Sequence, residues 1–237
     1  MAAIAWMDSQ LGRVLDELES LGLDSNTLVI LHADHGWSLG EHGAWQKFTN
    51  WEHGVRVPLI IRAPWLPGSA GKRSTEPVEL VDVFPTSVDL LELKMPPGES
   101  FDGQSLAPIL SEEEDADFRG FALSQYMRCP QQLQNASLFW KDNACLFTDR
   151  TQIPFMGYTL RTPQWRYTEW LKWNGTSLAA DWDESVGVEL YSHAGDDGSD
   201  FDAFENVNQA KDHPDVATQL RNKLMKIVAS QTRSIRV

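Results

Sequence analysis

The sequence predicts an α/β fold followed by a smaller α+β region, and three patterns along the chain carry this prediction. In the first third, apolar stretches of strand length alternate with segments of helical periodicity. A segment rich in proline and glycine, residues 95–98, ends this alternation. Beyond it, apolar and polar residues alternate as in antiparallel strands that have one packed and one wet face. We therefore predict part of a doubly wound sheet in residues 1–118 and an α+β subdomain with an antiparallel sheet in residues 119–237.

The elements of the first region follow from their spacing. Apolar residues recur at helical intervals from the start of the chain to Leu21 and predict a helix. Because no capping residue precedes this pattern, we expect that the chain has been truncated on its N-terminal side. Continuous apolar runs at 27–32 and 57–62 predict strands buried on both faces. Residues 81–93 then predict a helix with Pro85 in its first turn, where proline is tolerated.

The second region begins after an acidic run, residues 112–117, that predicts a solvated surface. Alternating segments at 157–161, 165–173 and 187–191 predict the strands of the antiparallel sheet. Residues 214–228 carry apolar side chains on one helical face and predict a terminal helix.

Composition narrows the class of protein. The 237 residues include 34 acidic and 20 basic side chains, and the net charge of -14 argues against a nucleic-acid-binding protein, which needs a basic face. No apolar run approaches the roughly 20 residues that span a bilayer. Two glycosylation sequons, at Asn135 and Asn174, and two cysteines favour a lysosomal or secreted protein. We predict a disulfide between Cys129 and Cys145, with two free thiols as the alternative.

Four of the six histidines lie in the segment 32–53. Asp34 and His35 directly follow a predicted strand, at the sheet edge where open α/β sheets bind ligands. At a bend, their carboxylate and imidazole can converge on one cation, and Gly36 lets the backbone turn and approach the ion closely. The alternative is a hydrogen-bonded couple with no metal. Lys47, in a loop that returns to the same edge, suits a tetrahedral oxyanion, or is an ordinary surface lysine.

Other side chains of this segment have weaker assignments. Trp37 and Trp45 are candidates for a sugar-binding subsite, although aromatic residues also pin surface loops. Glu41 and His42 are candidates for orienting the metal ligands. Glu52 and Arg56 stand at helical spacing and can simply pair with each other. His193 and His213 receive no role from the sequence.

These motifs together resemble the sulfatase family of the alkaline-phosphatase superfamily, over nearly the whole chain. The segments that carry the resemblance are 7–15, 31–47, 56–61, 81–86 and 101–106. Within the family, the pair Asp34-His35, the segment 156–162 and the dipeptide Arg166-Tyr167 are most similar to the iduronate-2-sulfatase branch. Many other sulfatases have Asp-Asn in place of Asp34-His35.

The resemblance implies hydrolysis of a sulfate ester, on the uronic acid of a glycosaminoglycan such as heparan or dermatan sulfate. It implies that Asp34 and His35 bind a divalent cation, Ca²⁺ with Mg²⁺ as the alternative, and that Lys47 contacts the sulfate. Sulfatases complete this site with an early Asp-Asp pair and a formylglycine made from a Cys/Ser-x-Pro-x-Arg motif. This sequence contains no Cys/Ser-x-Pro-x-Arg motif, and the early Asp-Asp pair is also absent. We therefore expect them in a missing N-terminal half and expect this chain to be inactive alone.

Two alternative functions stay open. A phosphoester or phosphonate hydrolase of the same superfamily would have a threonine or an unmodified nucleophile upstream. A glycan-binding homologue without catalysis would have lost the nucleophile, yet Asp34, His35 and Lys47 are all present. We expect these three side chains to converge in one pocket at the C-terminal edge of the main sheet.

Overall fold

A computed structural model describes residues 2–111, 118–130, 145 and 148–234. The acidic run 112–117 and the sequon at Asn135 lie outside this described part. The chain divides into two compact units. The first unit comprises Met1–Ala33, Pro58–Ser74 and Glu79–Phe118; the second comprises Asp34–Val57, Thr75–Val78 and Arg119–Val237. Residues 34–57, which carry most of the candidate site, therefore belong to the second unit.

The helices and strands are named here in chain order. The α-helices are α1 (Ala2–Ser20), α2 (Glu52–Val55), α3 (Val83–Leu90), α4 (Ala107–Ser111) and α5 (Pro214–Ser234). The strands are β1 (Val29–His32), β2 (Ser38–Leu39), β3 (Trp45–Gln46), β4 (Leu59–Arg62), β5 (Ala122–Arg128), β6 (Phe155–Arg161), β7 (Trp165–Asn174) and β8 (Ala179–Ser192). No helix among the described residues is both long enough and apolar enough to cross a membrane.

The first unit contains the two predicted apolar strands, but their arrangement differs from the prediction. Strands β1 and β4 pair antiparallel, with Val29 opposite Arg62 and His32 opposite Leu59. Their residues are half-buried or exposed, so burial on both faces is wrong for the strands of this structure. No parallel pair occurs among the described strands, because an apolar run predicts a strand but does not specify the direction of its neighbour.

The helices of the first unit follow their sequence signals. The predicted first helix is confirmed as α1, which buries none of its residues. The second is confirmed as α3, shorter than predicted and with Pro85 in its first turn. Just before α3, the buried carboxylate of Asp82 accepts hydrogen bonds from the backbone N–H groups of Glu79 and Gln104, each at 2.8 Å. These two bonds fix the N-terminal end of α3.

The second unit is built on an antiparallel sheet in the order β5-β6-β7-β8, as the alternating segments predict. Leu160 on β6 stands opposite Tyr167 on β7, which stands opposite Leu190 on β8. These side chains form the core with Leu171, and α5 covers them through Leu220 and Leu224. The predicted terminal helix is thus confirmed.

A disulfide joins the end of the first sheet strand to a residue further along the chain. Cys129 directly follows β5 and is bonded to Cys145, with Cα atoms 5.4 Å apart. The second sequon residue, Asn174, lies at the exposed turn between β7 and β8. Its side-chain oxygen accepts hydrogen bonds from the N–H groups of Thr176 and Ser177, both at 3.0 Å.

Candidate functional site

The candidate site lies on Asp34–Val57, which we call the histidine loop. Within it, β2 and β3 form a small hairpin in which Ser38 pairs with Gln46. Gly40, with φ of 126°, and Gly43, with φ of 69°, allow the chain to reverse between the strands. Because this pairing folds the loop back on itself, the residues before β2 and after β3 lie next to each other.

The hairpin brings together Asp34, His35 and Lys47. The Lys47 ammonium donates a hydrogen bond to Nε2 of His35 at 2.7 Å. Since an ammonium group can only donate, Nε2 is the unprotonated nitrogen, and Nδ1 carries the proton that it donates to the Gly36 carbonyl at 2.8 Å. The same Nε2 is 3.4 Å from Oδ2 of Asp34. The three candidate side chains therefore meet at one point within the second unit.

This cluster is open to solvent. The Asp34 side chain is 85% exposed and the His35 side chain 29% exposed. Trp37 and Trp45 are also more than half exposed. The rings of His35 and Trp37 have centroids 6.2 Å apart. An exposed aromatic side chain therefore lies beside the imidazole.

The donor set of Asp34 and His35 fits part of a cation site. Two donor atoms 3.4 Å apart can both reach one cation at the 2.3–2.6 Å distances typical of Ca²⁺. A carboxylate and an imidazole lone pair supply only two donors, whereas Ca²⁺ takes about six to eight. Lys47 now occupies the lone pair of His35, so its ammonium would have to turn away when a cation binds.

Gly36 is required for a different reason from the one that the sequence suggests. Its backbone N–H donates to the Gly54 carbonyl at 2.9 Å. A Cβ atom on residue 36 would lie 2.1 Å from the His53 carbonyl oxygen. The two arms of the loop thus touch backbone to backbone, and glycine permits this contact rather than a sharp turn.

Glu41 and His42 have partners other than the metal-ligand candidates. The Glu41 carboxylate accepts from the N–H of Leu39 at 2.5 Å, and this hydrogen bond lowers the pKa of Glu41. The His42 ring packs against Trp51 and His53, with centroids 4.8 and 5.2 Å away. Both side chains therefore shape the loop.

A second polar cluster, which we call the buried ion cluster, lies deeper in the same unit. It consists of Glu52, Arg56, Arg161, Arg166, His193, Asp196 and Glu205. The carboxylate of Glu52 accepts from all three arginines, including Arg56 at 3.0 Å, as its sequence spacing suggests. Asp196 accepts from Arg56 at 2.8 Å and from Arg161 at 3.0 Å.

Burial and charge act in opposite directions on these carboxylates. Glu52 is only 3% exposed, and burial alone would raise its pKa. The guanidinium groups of Arg166 and Arg161 outweigh burial and lower the pKa of Glu52 to about 2. Burial likewise acts to raise the pKa of Glu205, but the positive charge of Arg166 acts in the opposite direction. The pKa of Glu205 is lowered as a result. The carboxylates of Glu52 and Glu205 are therefore ionised and neutralised by the arginines.

Three members of this cluster have the residue types of a metal site. One ligand atom each of Glu52, His193 and Asp196 lie within 4.8 Å of one another. However, Nδ1 of His193 already bonds Asp196 at 2.9 Å, and three guanidinium groups already occupy the carboxylates. A divalent cation would meet three positive charges there, so we assign this cluster to the framework.

Sequence reasoning missed most of the buried ion cluster. His193 was given no role, yet it lies buried between Asp196 and Glu205. His213, also without a role, packs against Trp165 with ring centroids 5.2 Å apart. The available signal was the occurrence of Arg166 and Glu169 beside Tyr167, Trp170 and Leu171 in one predicted strand, since buried charges require partners.

Comparison with known proteins adds to this geometry. Residues 1–93 match the protein-family model described as Sulfatase. Iduronate 2-sulfatase of Mus musculus is 32% identical, in an alignment that covers 86% of this chain and 43% of the mouse protein. The chain thus spans about two fifths of the length of this relative.

Solved structures show a similar fold. The phosphonate monoester hydrolase of Agrobacterium radiobacter matches with a TM-score of 0.69 and 25% identity, over 96% of this chain and 40% of that protein. A 2-O GAG sulfatase matches with a TM-score of 0.67 over 97% of this chain and 42% of that one; at 22% identity, this second likeness concerns the fold alone.

Proposed function

We propose that the whole protein removes sulfate from the uronic acid of a glycosaminoglycan. This proposal starts from the family, since the chain belongs to the sulfatase family. The observation that carries the proposal is the meeting of Asp34, His35 and Lys47 at distances of 2.7 and 3.4 Å. A carboxylate, an imidazole lone pair and an ammonium at one exposed point suit a cation together with a tetrahedral anion.

Each of these side chains has a role in the proposed site. Asp34 and His35 would hold a divalent cation, Ca²⁺ or alternatively Mg²⁺, which would supply positive charge next to the sulfate oxygens. The Lys47 ammonium would bind a sulfate oxygen and stabilise the negative charge that develops there during the reaction. The hydrogen bond from Nδ1 of His35 to the Gly36 carbonyl orients the ring so that Nε2 faces the site. Trp37 and Trp45 would contact the sugar rings.

The rest of the site would come from an N-terminal half of the same protein. Two donors are too few for Ca²⁺, and the sequence lacks the formylglycine motif of the family. The mouse relative is more than twice as long as the part that aligns with this chain. Additional strands beside β1 and β4 would place these two strands within the doubly wound sheet that their apolar sequences predict. The exposed apolar residues of α1, such as Ile4 and Val14, would then be covered.

A lysosomal or secreted location is part of the proposal. The disulfide between Cys129 and Cys145 suits an oxidising compartment. The Asn174 sequon lies at an exposed turn and would be accessible for glycosylation.

One alternative has a specific observation in its favour. The phosphonate monoester hydrolase of Agrobacterium radiobacter shares the fold at 25% identity. A phosphonate is also a tetrahedral anion, so Lys47 and a cation would suit it as well. A glycan-binding protein without catalysis is the less economical hypothesis, because it gives the lysine beside His35 no task.

The experiment compares the full-length protein with residues 1–237 alone. Both are assayed on an aryl sulfate, a sulfated uronide and a phosphonate monoester, with and without Ca²⁺. We expect the full-length protein to prefer the sulfated uronide and the shorter chain to be inactive on all three. Preference for the phosphonate would favour the alternative. Metal-dependent turnover by residues 1–237 that Asp34→Ala abolishes would contradict the need for an N-terminal half.

A further inference from the structure

We propose that Arg166, acting with Glu52, is a positioning residue that fixes the histidine loop so that His35 and Lys47 meet. Arg166 is 1% exposed and lies near the start of β7, an inner strand of the four-stranded sheet. It therefore acts through the loop and not on the substrate. The functional consequence assumes the sulfate-ester hydrolysis proposed above, whereas the structural consequence does not.

The guanidinium group of Arg166 reaches three acceptors in different directions. Nη1 donates to the backbone carbonyl of Asn50 at 2.7 Å, and Nη2 donates to the carboxylate of Glu52. Nε donates to Glu205, whose other oxygen accepts from the backbone N–H of Glu52 at 2.8 Å. One side chain thus holds both the backbone and a side chain of the histidine loop at residues 50–52.

Further contacts tie the same stretch to the neighbouring strands. The Asn50 side chain donates to the Gly157 carbonyl on β6 at 3.2 Å. The indole N–H of Trp51 donates to Glu189 on β8 at 3.3 Å. Residues 50–52 are therefore hydrogen-bonded to three adjacent strands. Because these strands pack on a common core, their hydrogen bonds hold residues 50–52 in one position.

The attachment reaches the candidate site through two short paths. On one side, α2 leads from Glu52 to Gly54, whose carbonyl accepts from the Gly36 N–H at 2.9 Å. Gly36 is the neighbour of His35, and its carbonyl accepts the hydrogen bond that Nδ1 of His35 donates. On the other side, the N–H of Thr49 donates to the Lys47 carbonyl at 2.9 Å. A shift of residues 50–52 would consequently move His35 and Lys47 relative to each other.

Small displacements matter at such a site, since a misplacement of about 1 Å can cost about 100-fold in rate. Lysine at position 166 would keep the positive charge, but its N–H donors all lie on one nitrogen. It therefore cannot span acceptors that the guanidinium reaches from three separate nitrogens. Arg166→Lys therefore tests the geometry of the attachment separately from its charge.

The test uses the full-length protein with Arg166→Lys and a matched control, Arg221→Lys. Arg221 also pairs with a buried carboxylate on β7, that of Glu169 at 3.1 Å, but this pair connects β7 to α5. Two quantities are measured well below the unfolding temperature of each variant. They are kcat/KM on a sulfated uronide and the hydrogen-exchange protection of the Gly36 N–H.

We expect Arg166→Lys to lower kcat/KM by about 30- to 100-fold, with loss of Gly36 protection and unchanged protection of the β6–β7 amides. Arg221→Lys should leave kcat/KM and Gly36 close to the wild type. Wild-type values for Arg166→Lys in both measurements would overturn the proposal. If Arg166→Lys does not fold, Glu52→Gln replaces it, because it removes the carboxylate that accepts from Nη2 of Arg166. It should lower kcat/KM and the Gly36 protection in the same direction. Absence of sulfate-ester turnover in the wild type would refute the proposed function, and the exchange measurement would then decide the positioning role by itself.

Discussion

Two clusters in the second unit each combine carboxylate, imidazole and basic side chains. They differ in how many of these groups are already hydrogen-bonded within the protein. The site of Asp34, His35 and Lys47 is open, and its carboxylate is 85% exposed. The buried ion cluster holds carboxylates, a histidine and arginines that are bonded to one another, with Glu52 only 3% exposed. Judged by residue types alone, either cluster could be a metal site. The clusters differ in whether their carboxylate and imidazole atoms are free to bind a ligand. In the buried ion cluster these atoms are already hydrogen-bonded to arginines and to one another.

The largest expected difference between the clusters is in stability. Arg166→Ala leaves the buried carboxylates of Glu52 and Glu205 without their shared cation, so it should lower the free energy of unfolding by about 3–5 kcal/mol. His35→Ala removes a partly exposed ring and should change it by less than about 1 kcal/mol. Urea denaturation of the full-length protein measures both. Equal effects of the two substitutions would contradict the division into a framework cluster and an open site.

Acid should weaken the buried ion cluster over a defined interval. Because the folded state lowers the pKa of Glu52 from 4.5 to about 2, its ionised form stabilises the fold above pH 4.5. This contribution is lost as the pH falls from about 4.5 towards 2, and it amounts to at most about 3.5 kcal/mol at about 1.4 kcal/mol per pKa unit.

The measurement is the free energy of unfolding at pH 5 and pH 3, for the wild type and for Glu52→Gln. The wild type should lose more stability between these pH values than the variant, because the variant has no carboxylate at residue 52 to protonate. Identical pH dependence would show that Glu52 does not stabilise the fold through its charge.

The sequence predicted most elements, because their signals are local. The periodicity of α1, the alternation in β6 and β7 and the apolar face of α5 each depend on residues within one segment. The antiparallel pairing of β1 with β4 was not predicted, since an apolar run carries no information on strand direction. The predicted convergence of Asp34, His35 and Lys47 depended on the resemblance to the sulfatase family. It also depended on the short distance along the chain between these residues, which lie in one loop.

The buried ion cluster was beyond prediction for a different reason. Arg166 is separated in sequence by 116 residues from Asn50 and by 114 from Glu52. Only the folded sheet brings these groups together. The spacing of Glu52 and Arg56 predicted their pairing, but nothing local indicates that Arg161 and Asp196 join them.

The most direct test of the account is Lys47→Ala in the full-length protein, assayed for kcat/KM on a sulfated uronide. Lys172→Ala is the matched control, because Lys172 is an exposed lysine of the same unit whose ammonium pairs with Glu184 at 2.9 Å. If Lys47 stabilises charge on the sulfate, kcat/KM should fall by about 100-fold or more, while Lys172→Ala leaves it unchanged. Near-normal activity of Lys47→Ala would mean that Lys47 is a surface lysine and that the catalytic site lies elsewhere.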